Sequence, residues 1–307
     1  ASVGGARVLP GTVGVDERAL AGGHGAELGE GFPSLSERHV VRPAVAVQLV
    51  DAVVLPEAHR ADVVATALVE GQVPTARAGQ ARLDLADDRL ADLLAEELGR
   101  QIGPNRVVVL LTLVVVDRKD PAFDRPSKPI GAMLTEAEAR ALVAERGCAV
   151  GIDGDGWRRM VPSPTPLEVV EFAAIRSLAD AGYVVVCAGG GGIPVARDGG
   201  VLRGVEAVVD KDLTSALLAV ELDADELMIL TDVETVVHGW RTDAARPLRE
   251  ATVAELRADE WASGSMGPKV EAACRFVERT GRVARIGSLE HAGQVLAGAN
   301  GTKVLPG

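Results

Sequence analysis

Aromatic side chains and cysteines are scarce in this chain. Aromatic residues make up 3% of its 307 residues although hydrophobic residues make up 47%, so its core must be mostly aliphatic. The three cysteines, Cys148, Cys187 and Cys274, are too widely spaced for the ligand pairs of a metal site or for a disulfide framework. Cys187 lies in an apolar run and Cys274 on the apolar face of a predicted helix, which predicts that both are small core residues.

Positive charge and long apolar runs are scarce as well. Lysine and arginine number 32 against 44 acidic residues, and the net charge of −12 argues against a nucleic-acid or membrane-surface protein. No apolar run reaches the ~18 residues of a membrane span, and no basic and apolar leader opens the chain. The histidines show no ligand spacing, and a P-loop motif is absent. We expect a cytoplasmic protein whose partners include neither nucleic acid nor a membrane.

Short β-branched runs alternate with helical patterns over most of the chain. Arg106–Val116, Tyr183–Val186 and Leu227–Leu230 are apolar enough for strands that are buried on both faces. Helices are predicted between such runs, for example from Thr165 to Ala181 and from Pro268 to Thr280. This alternation predicts an α/β fold, namely an open αβα sandwich with a mostly parallel central sheet.

The first 82 residues are the least clearly patterned part of the chain. There, Val40–Val54 predicts one or two strands, and Ala61–Val69 predicts a short helix. A clearer signal comes later, where Thr135 and Glu138 form a capping box for a helix that Gly147 ends.

Four consecutive glycines follow the predicted strand Tyr183–Val186. Such a run cannot continue a strand without a large loss of backbone freedom, but it can turn sharply and present several N–H groups to one anion. A buried parallel strand that ends in glycines is also where open α/β sheets bind ligands. We therefore predict a phosphate-binding loop, with a flexible surface turn as the alternative. Its residues are Gly189, Gly190, Gly191 and Gly192.

Three lysines stand in contexts that favour anion binding. Lys128 lies close to two prolines, Lys211 lies between Asp210 and Asp212, and Lys269 follows a Gly-Pro turn at a predicted helix start. Phosphoryl transfer requires the charge of the transition state to be neutralised, and gathered lysines can do this. Asp210 is predicted to fix the position and protonation of two lysines, and Asp212 is predicted to cap the helix that follows. The alternative for each lysine is a solvated surface side chain.

These stretches resemble a known family. Ala188–Pro194, Arg203–Asp212 and Gly264–Lys269 closely resemble the carbamate kinases of the amino-acid kinase superfamily, and the loop Pro126–Gly131 is similar to a loop of its members. The resemblance extends over about residues 83–307.

The family's organisation implies a single amino-acid kinase-like domain over residues 1–307. Its acceptor-binding half would comprise residues 1–118 and part of the middle of the chain. A small protruding subdomain would comprise residues 119–164, and the nucleotide-binding half residues 183–307.

The resemblance also implies a role for each motif. Lys211 would neutralise the transferring phosphoryl group, Asp210 would orient the lysines, and Lys128 would reach into the site from the protruding subdomain. The four glycines would present N–H groups to the phosphoryl-bearing ligand. Asp232 has a plain capping role as its alternative. The residues implied to bind the nucleotide or its phosphates are Thr231, Asp232, Val233, Met266, Gly267 and Lys269.

The implied reaction is reversible phosphoryl transfer between ATP and carbamate, which yields ADP and carbamoyl phosphate. Mg²⁺ would arrive with the nucleotide, and no metal ligands are expected from the protein. The resemblance further implies a homodimer in arginine metabolism that usually runs toward ATP. The alternatives are a superfamily kinase that acts on another small acid, and a nucleotide-binding protein without catalysis.

Residues 1–82 depart from the family's pattern. The family's Gly-Gly-Asn-Ala turn and its carbamate-holding His-Gly-Asn-Gly-Pro-Gln turn are both absent, and Val3-Gly4-Gly5-Ala6 and His24-Gly25-Ala26 are poor substitutes. An aspartate and a tyrosine that family members often carry near the nucleotide appear here as Glu234 and Val237, so base or ribose contacts would differ. A frameshift upstream of residue 83 would also explain the change, and resequencing the coding DNA tests it.

We predict that the unmodified chain has carbamate kinase activity well below that of a family member with both turns. Carbamate has few atoms to bind, so nearly every contact must come from preorganised turns. Restoring Gly-Gly-Asn-Ala at Gly4-Gly5-Ala6-Arg7 should not rescue the rate, because the second turn is still absent. The measurement is ATP formation from ADP and carbamoyl phosphate, with the Lys211→Ala variant as background. Full family-level activity from the unmodified chain would contradict the prediction.

Overall fold

The strands of the central sheet are mostly parallel. The structure, a computed structural model, describes residues 45–50, 63–68, 94–96, 98–100, 102–261 and 265–307. The turns considered near Gly4 and His24 lie outside these residues. In spatial order the strands are β15 (Glu250–Thr252), β17 (Thr302–Leu305), β16 (Val283–Ser288), β12 (Glu226–Thr231), β1 (Val45–Val50), β2 (Val63–Leu68), β9 (Val184–Val186) and β3 (Val107–Val109). Among these described strands the β16–β17 pair alone is antiparallel.

Helices cover both faces of this sheet. The described helices are α1 (Glu136–Arg146), α2 (Phe172–Asp180), α3 (Lys211–Glu221), α4 (Val253–Arg257), α5 (Met266–Thr280) and α6 (Ala292–Leu296). Of these, α1 packs on a smaller, separate sheet. Short 3-10 turns lie at Pro104–Arg106, Pro121–Phe123 and Leu289–His291, and residues 94–96, 98–100 and 102 are helical.

Alternate side chains of one strand show why two layers of helices are needed. Leu227 and Ile229 of β12 pack with α3 and α5, whereas Met228 and Leu230 pack with α6 and Leu94. Successive strand residues point to opposite faces, so an apolar run must be covered on both sides. The predicted αβα sandwich with a mostly parallel sheet is confirmed. No helix in the described ranges has the length and apolarity to cross a bilayer.

The described residues form three smaller sheets besides the central one. A four-stranded sheet has the order β11 (Val201–Gly204), β10 (Ile193–Asp198), β4 (Leu113–Val115) and β8 (Glu168–Val169). An antiparallel sheet of β5 (Lys128–Leu134), β7 (Gly156–Val161) and β6 (Val150–Asp153) packs with α1, and we call residues 128–161 the subdomain. β13 (Val236–His238) and β14 (Arg246–Leu248) form a separate hairpin.

The predicted single strand Arg106–Val116 is wrong, because the chain passes there from one sheet to another. β3 belongs to the central sheet and β4 to the four-stranded sheet, with Leu110–Thr112 between them. The Leu110 N–H donates to the Val186 carbonyl of β9 at 2.9 Å, and the Thr112 carbonyl accepts from the Ile193 N–H of β10 at 2.8 Å. Periodicity alone cannot detect a change of partner inside an apolar run.

Two predicted helices are also corrected. Ala61–Val69 holds strand β2, which pairs in parallel with both β1 and β9, so tertiary pairing overrides the local pattern. The helix expected from Thr165 begins at Phe172 instead. Its predicted first turn is extended as β8, which pairs antiparallel with β4. By contrast, the capping box at Thr135 and the left-handed cap at Gly147 are confirmed.

Both cysteines predicted to be core residues are buried. Cys187 is 2% exposed and Cys274 is 1% exposed. Burial raises the pKa of the Cys187 thiol to about 12 and that of Cys274 to about 11. Both therefore stay protonated at neutral pH, where a thiol is a poor nucleophile. The prediction that both are small core residues is confirmed.

Candidate active site

Four chain segments meet at one edge of the central sheet. The glycine loop follows β9, and Thr231 ends β12. The helices that return between parallel strands run in the opposite direction, so the first turns of α3 and α5 lie at this same edge. This edge carries most of the residues that the sequence singled out, although they are far apart along the chain.

The glycine loop lies directly on the segment that enters α3. Gly191 has a φ of +127°, and a Cβ built there would lie 2.0 Å from the Val209 carbonyl oxygen and 3.3 Å from the Lys211 nitrogen. A Cβ on Gly192 would lie 2.4 Å from Cγ2 of Val114. A side chain would clash at both positions, so glycine is required for this close approach.

Two threonines that the sequence analysis missed hold the loop. The Thr112 hydroxyl accepts the Ala188 N–H at 2.9 Å, and the Thr214 hydroxyl donates to the Gly191 carbonyl at 2.9 Å. Both threonines are buried. The signal that could have found Thr112 is a single hydroxyl inside an otherwise apolar run, since a buried hydroxyl needs a partner.

Asp210 connects the start of α3 to the subdomain. It is 5% exposed and is the N-cap of α3, where its Oδ1 accepts the N–H groups of Asp212 at 2.9 Å and Leu213 at 3.4 Å. Its Oδ2 accepts from Lys128 Nζ at 2.8 Å. The prediction that Asp212 caps this helix is therefore wrong, because the cap lies two residues earlier.

Asp212 has a different role in the structure. Lys269 Nζ lies 3.2 Å from Oδ2 and 3.5 Å from Oδ1 of Asp212, and both residues are buried. α5 begins at Met266, ahead of the predicted start at Pro268, so Lys269 stands in its first turn. The structure thus pairs Lys128 with Asp210 and Lys269 with Asp212. In the sequence, the presence of a second acid beside Lys211, namely Asp212, was the signal that could have identified the partner of Lys269.

The remaining predicted residues lie at the start of α3, at the end of β12 and at the start of α5. Lys211 is the first residue of α3 and is half-buried. Thr231 is buried, and its hydroxyl donates to the exposed Asp232 carboxylate at 3.1 Å, with half-buried Val233 next. Met266 packs partly into the core cluster of α3 and α5.

The segment Thr231–Val233 shares an edge of the sheet with Lys128 and Lys269 but pairs with neither of them in the described part of the chain. Among the side chains described, Lys128 and Lys269 each have one acidic partner, which is not in this segment. Gly267, the second residue of α5, is half-buried beside Met266.

The electrostatics of this edge suit an anion that carries several charges. Lys128 and Lys269 each bring an amino group to the start of α3, where a carboxylate holds it in place. The N–H groups at the starts of α3 and α5 add partial positive charge. Within the described ranges no group of three or more His, Cys, Asp or Glu side chains could hold a metal ion. The lysines and helix starts at this edge fit a phosphate ligand.

The chain matches known proteins of one family. Residues 122–288 match the model of the amino acid kinase family. Carbamate kinase from Pyrococcus furiosus is 45% identical over 218 residues, which are 69% of each chain. Carbamate kinase from Trichomonas vaginalis is 44% identical over 228 residues, 71% of this chain and 73% of the relative.

Solved structures agree with these sequence matches. Carbamate kinase from Giardia lamblia bound to citric acid superposes with a TM-score of 0.73 at 32% identity, covering 87% of this chain and all of that chain. The same enzyme bound to AMP-PNP gives a TM-score of 0.72 at 32% identity with the same coverage.

We predict that Gly191→Ala destabilises the protein more than Gly200→Ala. Both glycines have positive φ, which costs a non-glycine residue roughly 1–2 kcal/mol. An added Cβ at Gly200 meets nothing within 4 Å, whereas one at Gly191 meets the Val209 carbonyl. Urea unfolding of both variants measures the difference. Equal losses would show that the close approach at Gly191 is not required.

We predict that Asp212→Asn lowers the free energy of unfolding by roughly 3 kcal/mol, because it leaves Lys269 buried without its charged partner. Glu136→Gln is the matched control. The Glu136–Arg140 pair is exposed, and its loss should cost no more than ~0.5 kcal/mol. Chemical denaturation of the two variants is the measurement, and similar losses would contradict the assignment of Asp212 as a buried partner.

Proposed function

The chain belongs to the carbamate kinases of the amino acid kinase family, which are ATP-dependent enzymes, and we propose how its residues divide the work of phosphoryl transfer between ATP and carbamate. The observation that carries the proposal is the pair of Lys–Asp contacts around the start of α3, Lys128–Asp210 and Lys269–Asp212. They hold two cations beside a glycine loop at the ligand-binding edge of a parallel sheet.

The proposed reaction needs charge placement and little else. When it runs toward ATP, an oxygen of the terminal phosphate of ADP forms a bond to the phosphorus of carbamoyl phosphate. The bond from phosphorus to the carbamoyl oxygen breaks, and carbamate leaves as an anion. No proton has to move, so the protein's task is to hold both oxygens in line and to neutralise the charge on the transferred group.

Each of the three lysines is assigned a role according to its position in the structure. Lys211 begins α3, and its backbone nitrogen lies near Gly191, so we assign its side chain to the transferring phosphoryl group. Lys269 lies in the first turn of α5 and is assigned to the phosphates of the nucleotide. Lys128 is assigned to the transferred group from the side of the subdomain, because Asp210 holds it next to Lys211.

We assign the rest of the nucleotide pocket to residues at the same edge of the central sheet. The N–H groups of Gly189–Gly192 are assigned to the phosphoryl-bearing ligand. Thr231, Asp232 and Val233 follow β12 and are assigned to the nucleoside, with Met266 and Gly267 beside Lys269.

Magnesium is proposed to arrive on the nucleotide. Asp210 and Asp212 are already engaged by lysines, so the described residues fit a metal that is held mainly by phosphate oxygens. When bound, the ion supplies further neutralisation of phosphate charge. The proposal also includes a cytoplasmic homodimer in arginine metabolism, which rests on family membership. Equilibrium sedimentation of the purified chain tests the dimer.

We predict that Lys211→Ala leaves ADP binding nearly intact but removes most phosphoryl transfer. A charge aimed at the transition state lowers the turnover rate more than the affinity when it is lost. Binding is read from the thermal shift with Mg²⁺ and ADP, since a ligand at a hundredfold excess over its Kd stabilises the native state by ~2.7 kcal/mol.

Transfer is read from ATP formation. A flat titration of the unmodified chain up to millimolar ADP would contradict the nucleotide site. Lost affinity with an unchanged rate in the variant would contradict the role of Lys211.

A further inference from the structure

The subdomain, residues 128–161, packs mainly on itself. In the described part of the chain the extensive contacts of β5, β6, β7 and α1 are with one another. Its two ends leave side by side, because the Ser127 N–H donates to the Val161 carbonyl at 3.1 Å and Lys128 pairs with Val161 across β5 and β7. A body joined by two adjacent strands can pivot about them. Its orientation therefore depends on the few contacts that it makes elsewhere.

Two of those contacts are ion pairs to one segment. Lys128 Nζ lies 2.8 Å from Asp210, and Arg159 Nη2 donates to the Glu206 carboxylate. Glu206 and Asp210 both lie between β11 and α3, the segment that leads into the candidate site. Between them, the Val208 N–H donates to the Pro162 carbonyl at 2.9 Å, just beyond the end of β7.

Strand register places the two cations together. Lys128 is opposite Val161 and Ile130 is opposite Arg159 in the antiparallel β5–β7 pair. Directly opposed residues point to the same face, as do residues two apart, so Lys128 and Arg159 share a face as diagonal neighbours. This face meets the Glu206–Asp210 segment with two positive charges against two negative ones.

The surroundings of Arg159 are not those of a residue that stabilises the core. Its side chain is 18% exposed, and its Nε is buried without a hydrogen-bond partner among the residues described. A buried donor that lacks a partner costs free energy. The neighbouring Arg158 differs, since it donates to the Gly131 carbonyl and to Asp153, both within the subdomain.

We propose that Arg159 is a positioning residue, whose ion pair with Glu206 sets the orientation of the subdomain so that Lys128 meets Asp210. The inference rests on the proposed role of Lys128 in phosphoryl transfer. Arg159 acts through Lys128 and is not assigned a contact with either substrate.

The test uses Glu206→Gln, with Asp153→Asn as the matched control. Glu206 is 76% exposed, so the change should not unfold the protein. We expect kcat for ATP formation to fall about two- to fivefold, the range for losing an ion pair with one exposed partner. KM for ADP should be unchanged. Asp153→Asn breaks the Arg158 pair inside the subdomain and should leave both constants as they are. A Glu206→Gln enzyme that matches this control would overturn the inference.

Combining Glu206→Gln with a change at Lys128 shows whether the ion pair acts by positioning Lys128 or only by a local effect at Glu206. In a Lys128→Met background, Glu206→Gln should cause no further fall in kcat, because the group that it positions is gone. An equal further fall would overturn the inference. If Lys128→Met alone leaves the rate unchanged, the proposed role of Lys128 fails and the inference fails with it. If Lys128→Met slows the enzyme while Glu206→Gln does not, only the inference fails.

A second readout does not need activity. Amide hydrogen exchange at Val208 should be faster in Glu206→Gln than in the unmodified chain, since its bond to Pro162 depends on the same orientation. Asp153→Asn should leave this exchange rate unchanged. Unchanged protection of Val208 in Glu206→Gln would count against the proposal whatever the kinetics show.

Discussion

Two carboxylates at the start of α3 hold the cations of the candidate site. Asp210 and Asp212 flank Lys211 in the chain, and each accepts a lysine from a distant segment, Lys128 or Lys269. In a partly buried setting such pairs fix the positions of the lysines, at the cost of removing the ions from water. Neither pair is a surface ion pair of small value, because Asp210 and Asp212 are almost fully buried.

Steric constraints of the backbone bring the glycine loop close to the segment that carries these carboxylates. Gly191 lies so close to the Val209 carbonyl that no side chain fits, and Thr112 and Thr214 fix the loop from two sides. Ala188, next to the glycines, has a φ of 63°, an unfavourable conformation for a residue with a Cβ. Local strain at a loop of this kind is sustained by the surrounding hydrogen bonds, which favour one arrangement before a ligand arrives.

The attachment of the subdomain to the rest of the protein also depends on contacts between segments that are distant in the chain. The subdomain's own sheet and α1 pack with one another, whereas Lys128 donates a hydrogen bond to Asp210 outside the subdomain. The ion pair of Arg159 with Glu206 provides a second point of attachment on the same segment. With the role proposed for Lys128, this second contact matters because catalysis by charge placement loses rate when a charge is misplaced.

The sequence by itself determined the αβα class, the caps at Thr135 and Gly147 and the buried cysteines, because these depend on local patterns. It also singled out the glycine loop and the three lysines, since glycine runs and isolated lysines are visible without coordinates. Only the tertiary structure decided that the apolar run before Val116 splits between two sheets and that residues 63–68 pair as a strand. It alone paired Lys269 with Asp212. The physical reason is that strand partners and ion pairs between residues far apart in the chain depend on packing, which periodicity and spacing do not encode.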